Sequence, residues 1–118
     1  MQVVAYRESD GTIPLVDWLR GLPVKPRLKC LAKIERLRLL SYELRRPEAD
    51  SLRDGIYELR TGLQGVNYRL LYFYYRNVAV VVSHGLTKAD VVPATEINLA
   101  IRRRQAYVAD PGRHTAEL

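Results

Sequence analysis

The chain has 118 residues, 47% of them hydrophobic, and a formal net charge of +6 with a pI near 9.7, an excess that attracts phosphate backbones before anionic lipid or an acidic protein. That length suits one ordinary domain with its own core and is too short for two, and the single cysteine, Cys30, excludes an internal disulfide. No stretch approaches the roughly 18 apolar residues of a membrane span, and the opening MQVVAYRESDG has no basic segment leading into an apolar run, so a soluble, cytoplasmic protein with no membrane partner is expected.

In chain order, Val3, Val4 and Tyr6 predict a short first strand over 2–7, closed by the turn residues Ser9, Asp10 and Gly11. Thr12 can cap a first helix that has Pro14 in its first turn, Asp17 near its positive end and Gly21 as its stop. A longer helix is predicted over 26–46, with Cys30, Ile34, Leu37 and Leu44 on one face and Leu31 and Leu40 flanking them. Lys29, Lys33 and Arg36 fall on the other face, which reads either as solvated surface or as a grip for RNA or a protein partner. Pro47 ends this helix, and the polar stretch to Gly55 reads as a loop anchored by Leu52.

The period then changes. Residues 56–61, 67–75 and 78–86 are rich in Val, Leu and Tyr and are separated by turn residues, which predicts a three-stranded antiparallel meander. A last helix begins at Pro93, behind the poor cap Val92, with Glu96 in its first turn and Ile97, Ala100, Ile101 and Arg104 striped along it to Tyr107. The domain is expected over 1–109, and 110–118 lacks periodicity and reads as a loose tail. The sum is an α+β architecture.

Strand register makes a chemical expectation out of this order. If the first turn of the meander centres near Gln64, Arg60 lies opposite Arg69; if the second centres near Arg76 and Asn77, Arg69 lies opposite His84. Arg60, Arg69 and His84 would then form a row on one face, with Lys88 just beyond. Like charges side by side repel, so such a row needs either a carboxylate such as Glu58 or Glu96 or an anion such as phosphate. The bland alternative, arginines lying exposed on a sheet and His84 merely packed, stays open because a one-residue slip redirects every side chain. Four tyrosines on one strand, Tyr68, Tyr72, Tyr74 and Tyr75, are split between faces by alternation. An exposed tyrosine near the basic row could stack on a base, Tyr107 being a candidate.

Several chemistries have no motif here. His84 and His114 are thirty positions apart and no cluster of His, Cys and carboxylates has metal-ligand spacing, so neither a metal nor another cofactor is expected. A serine nucleophile elbow, a phosphate loop and a dinucleotide fingerprint are also missing.

A more specific signal lies in the ordered motifs LRDGIYELR at 52–60, NYRLLYF at 67–73 and HGLTK at 84–88, closed by Pro93, Glu96, Ile97, Ala100, Arg103 and Tyr107 and preceded by IPLVDWL at 13–19. Together they resemble the phage-derived HigB-like branch of the RelE/ParE toxin superfamily, over nearly all of 1–107. Two departures lie around Lys88: Leu86 stands where an aromatic residue is more usual, and Val91 and Val92 where Lys or Thr is frequent.

The resemblance implies a RelE/ParE-like toxin fold: an N-terminal strand and two helices packed on an antiparallel sheet, with a C-terminal helix. It also implies a cognate antitoxin, usually a helix-turn-helix protein, and operator DNA bound only through the toxin–antitoxin complex. For RelE and HigB members it implies metal-independent cleavage of mRNA on the ribosome, and it carries Arg60, Arg69 and Lys88 to catalytic positions. Glu58, His84 and Tyr107 are available as acid, base or RNA contacts. The same fold in ParE members inhibits DNA gyrase without cutting RNA, and a non-catalytic regulatory module is a further alternative.

Overall fold

The computed structural model describes residues 1–87 and 91–118. β1 (Gln2–Tyr6) is followed by α1 (Pro14–Arg20) and α2 (Val24–Leu40), then by β2 (Ala49–Arg53), β3 (Ile56–Leu63), β4 (Val66–Tyr75) and β5 (Ala79–Thr87). α3 (Ala94–Ala109), the single turn α4 (Pro111–His114) and β6 (Thr115–Glu117) complete the chain. The six strands form one sheet in the order β2-β3-β4-β5-β1-β6. The α+β reading is borne out, but the sheet is mixed: β1 runs parallel to β5, and the purely antiparallel expectation is corrected. The helical crossover formed by α1, α2 and the β2–β4 strands is long enough to bring β1 and β5 together in the same direction.

The sheet is buried on both faces, because alternate residues of its central strands are apolar on each side. One face packs Val80, Val82, Leu59, Leu70 and Tyr72 against Leu15 and Leu19 of α1 and Cys30, Ile34 and Leu37 of α2. The other packs Ile56, Leu71, Phe73 and Val81 against Ile97, Ala100 and Tyr107 of α3. Tyr68, Tyr72 and Tyr74 lie with the first cluster and Tyr75 with the second, as alternation requires.

Four local expectations are revised. Thr12 does not cap α1; its amide and hydroxyl donate to Asp10 Oδ1 at 2.9 and 2.8 Å, and Ile13 stands at the cap without a side-chain bond. α2 stops at Leu40, where Ser41 takes φ 48° and a 3-10 turn follows, yet Leu44 beyond it is still buried; Leu31, by contrast, is exposed. The stretch expected as a loop holds β2, an edge strand paired with β3 through a two-residue turn in which Asp54 and Gly55 both have positive φ. The expected loose tail is ordered: β6 pairs antiparallel with β1 through Ala5 and Ala116, and His114 stacks on Tyr6 at 5.1 Å. Its few residues carry too little periodicity to be seen without their partner strand.

One close approach fixes α1. Trp18 lies against Gly85 of β5, and a Cβ at that position would overlap the indole ring. Gly85→Ala is expected to cost about 1–3 kcal/mol of stability through overpacking. Thermal melting checks this against Gly62→Ala, whose added carbon meets only ordinary contacts at 3.6 and 3.7 Å.

α2 is tied to the start of β2 by a charge cluster. Glu48 accepts from Arg36 Nε at 2.5 Å and from Lys33 Nζ at 2.7 Å, and these bonds, Arg36 first, hold its carboxyl down to about 2. A carboxylate depressed on folding stabilises the protein above its unfolded pKa and loses that contribution as it protonates. Stability is therefore expected to fall by about 1 kcal/mol, after discounting for solvent, as pH drops from about 4.5 to about 2. Urea midpoints across that window should show the step in the wild type and a shallower one in Glu48→Gln.

Among the described residues, no helix is long and apolar enough to cross a membrane.

Candidate active site

The basic residues of interest stand on the α3 side of the sheet. β3 and β4 are joined by a two-residue turn, Gln64 and Gly65, both with positive φ, so Arg60 pairs directly with Arg69 as the sequence predicts. The expected pairing of Arg69 with His84 is not found: Arg69 faces Leu86, and His84 faces Leu71. Two irregularities produce the offset. The β4–β5 turn holds Arg76, Asn77 and Val78 rather than two residues, and Ser83 is an extra residue between the pairs Leu71–His84 and Tyr72–Val82. Each moves the register by one residue, and two such shifts return His84 to the face that a single slip would have taken it from.

Glu58 resolves the repulsion between the arginines. It lies two residues before Arg60 on the same face, and its side chain is only 3% exposed. Its Oε1 accepts from Arg60 Nε at 2.5 Å and lies 3.4 Å from an Arg69 terminal nitrogen. Arg60 also donates to Asp50 Oδ2 at 3.2 Å, and Asp50 accepts from Arg46 at 2.9 Å, so charges alternate along Arg46, Asp50, Arg60, Glu58 and Arg69. The Glu58 bond raises the pKa of Arg60 further and keeps it charged.

A cleft of about 430 Å³ opens over this row, lined by Leu52, Glu58, Arg60, Arg69, Val91 and Val92. Leu52, Val91 and Val92 supply its apolar lining and Glu58, Arg60 and Arg69 its charged lining. Arg69 is 14% exposed, and its Nε is buried with no hydrogen-bond partner among the described residues. Leaving such a donor unsatisfied costs about 1–3 kcal/mol.

His84 sits further along the same face, under α3. Its Nδ1 is 2.8 Å from Ser83 Oγ and its Nε2 is 3.0 Å from Glu96 Oε2, while Arg103 reaches Ser83 at 3.4 Å and Glu8 at 2.9 Å. Burial, then the Arg103 charge, lowers the His84 pKa against the opposing pull of Glu96 and favours the neutral ring. Both ring nitrogens are thus occupied. Tyr107 is not in the cleft: it is buried against Phe73 and Tyr75, and its hydroxyl oxygen accepts from Thr115 at 2.9 Å. It is not the exposed stacking tyrosine that was a candidate, because its position on α3 turns inward. Lys88 lies outside the described residues.

The structure therefore brings together Glu58, Arg60 and Arg69 and adds Asp50, which reading the segment before Gly55 as a loop had left out. The Asp54-Gly55 pair, a strong two-residue hairpin signal, was the available clue that this segment is a strand. Among the described residues no group of His, Cys, Asp and Glu is arranged to hold a metal ion.

No curated protein matches the chain. The family model described as "Phage derived protein Gp49-like (DUF891)" matches residues 17–105, a span that runs from α1 into α3 and contains the whole arginine row. The chain therefore belongs to the Gp49-like family, which is a RelE/ParE-like toxin family whose members are commonly toxins of toxin–antitoxin modules.

Proposed function

We propose that this protein is a HigB-like toxin of a type II toxin–antitoxin system that enters the ribosome in the cytoplasm and cleaves mRNA there without a metal ion. The observation that supports this best is the pair of directly opposed arginines, held by one buried carboxylate and lining an open cleft. A guanidinium pair fixed in this way is suited to a phosphate in its charged transition state.

In the proposed reaction the 2′-hydroxyl attacks the adjacent phosphorus, forming the O2′–P bond and breaking the bond to the 5′-oxygen. One group takes the 2′ proton and another supplies a proton to the departing oxygen. The phosphorane in between carries extra negative charge, which fixed donors stabilise more than they stabilise the substrate. Arg60 and Arg69 fill that role, and Lys88 is assigned as a third cation of the site. Glu58 positions the arginines rather than taking a proton, since its Oε1 is already engaged by both. His84 acts through position, locked between Ser83 and Glu96.

A toxin family implies an antitoxin partner. We assign to it a helix-turn-helix protein that binds operator DNA and carries the toxin with it.

The test is a defined cell-free translation reaction in which new 5′ ends on the message are mapped with and without ribosomes. Cuts confined to translated message support the proposal. An intact message overturns it, and trapped gyrase cleavage complexes would then identify the ParE-like activity instead.

A further inference from the structure

A second cavity of about 540 Å³ adjoins the first and shares Arg60 with it. Lys29 and Lys33 of α2 line it, together with Glu48, Thr61 and Gly62. The reason it exists is topological. β2 pairs with β3 only as far as Ala49 opposite Leu59; the Arg60 amide takes the Glu48 carbonyl at 2.7 Å, and from there β3 is the edge of the sheet. Past that edge the α3 face and the α2 face are no longer separated by a strand. Arg60 stands at the corner, able to serve an anion on either side.

The charge of this corner is positive despite Glu48. That carboxylate is held by Lys33 and by both nitrogens of the Arg36 fork, at 2.7, 2.5 and 2.7 Å, so it neutralises one of two cations and fixes the other in place. Lys29, one helical turn before Lys33, has no acidic partner among the described residues.

We propose that this corner is a backbone subsite for single-stranded RNA. The strand leaves the Arg60–Arg69 cleft, turns round the β3 edge and rests phosphodiesters of nucleotides flanking the reacting one on Lys29 and Lys33. The inference rests on the RNA-cleaving reading of the cleft and extends it: the cleft acts on one phosphate, and the corner sets how much neighbouring strand is held. The subsite reads charge and spacing, not base identity, since it offers ammonium groups and backbone to the strand.

The experiment measures binding of a 2′-O-methyl trinucleotide and a 2′-O-methyl nonanucleotide, which cannot be cleaved, by fluorescence anisotropy over a range of salt. Wild type is expected to hold the nonanucleotide more tightly and with a steeper salt dependence. Each phosphate neutralised on single-stranded nucleic acid contributes about 0.7 to the slope of log K against log salt. Lys29→Ala, which breaks no ion pair, should therefore lower the nonanucleotide slope by about 0.7, and Lys29→Ala/Lys33→Ala by about 1.4, with the trinucleotide unaffected. Arg69→Ala should weaken both lengths.

A nonanucleotide slope unchanged in the Lys29→Ala variant overturns the subsite while leaving the cleft reading intact. Failure of wild type to hold the nonanucleotide more tightly than the trinucleotide also overturns the subsite, while the cleft reading is decided separately by the mapped cuts in the translation reaction. If a poly-glutamate peptide of matching charge displaces the nonanucleotide from wild type as effectively as unlabelled RNA does, the corner is a docking point for an acidic protein, and the RNA assignment falls.

Discussion

Arg69→Ala is expected to slow message cleavage by about 10²–10³-fold, the cost of removing one preorganised donor from a developing oxyanion, while the protein keeps its fold. The two halves of this expectation come from the same geometry. Arg69 is the less exposed arginine of the pair, at 14% against 36%, and it lines the cleft beside Arg60. Its contact with Glu58 is long, at 3.4 Å, whereas Glu58 retains Arg60 at 2.5 Å when Arg69 is lost. Truncation therefore removes little native stabilisation, about 1 kcal/mol or less. Arg69→Lys should recover only part of the rate, because an ammonium offers a point charge where the site presents a planar fork. Cleavage in the translation assay and thermal melting of the same preparations check both halves. A folded Arg69→Ala protein cutting at the wild-type rate would remove Arg69 from the chemistry.

Glu58→Ala is expected to have the largest effect on stability of any change in the cleft. Breaking a buried ion pair from one side costs about 3–5 kcal/mol, since the remaining charge stays buried and unpaired. Here two guanidinium groups are left directly opposite one another, but Arg60 is 36% exposed and keeps Asp50 at 3.2 Å, so solvent and the second carboxylate reduce the loss to about 2–3 kcal/mol. Urea unfolding of Glu58→Ala, Arg69→Ala and the double variant separates this from ordinary packing loss. The double variant should be more stable than the sum of the single changes predicts, because deleting Arg69 also deletes the repulsion that Glu58 had cancelled. Strict additivity would show that Glu58 is not what holds the arginines together.

The cleft was legible in part. The Arg60–Arg69 pairing was expected on the condition that the turn centres near Gln64, and the two-residue turn of Gln64 and Gly65 meets that condition, since turn length fixes register. Glu58 was one of two carboxylates, with Glu96, that the sequence offered to neutralise the row; the structure puts Glu58 against both arginines and Glu96 against His84. His84 was on the correct face but in the wrong row, because a longer turn and the extra residue Ser83 each moved the register by one and neither has a sequence signature of its own. Tyr107 was misread because a helix stripe tells which residues share a side, not which neighbours lie under it.

What the sequence determined by itself was local and periodic. It determined the first helix from its proline and glycine boundaries, the second and the last from their apolar stripes, and the meander of β3 to β5 from its turns, because period and turn chemistry act over a few residues. What only the tertiary structure decided was the pairing of segments too short or too polar to carry a period. β2 is half exposed at a sheet edge and so lacks the apolar run that marks a strand. β6 acquires its structure from β1, far away in the chain, and β1 lies parallel to β5 through a crossover that no local pattern encodes. The corner beside Arg60 belongs to the same class, since it exists only because β2 stops opposite Leu59 and α2 brings Lys29 and Lys33 to the edge that is left.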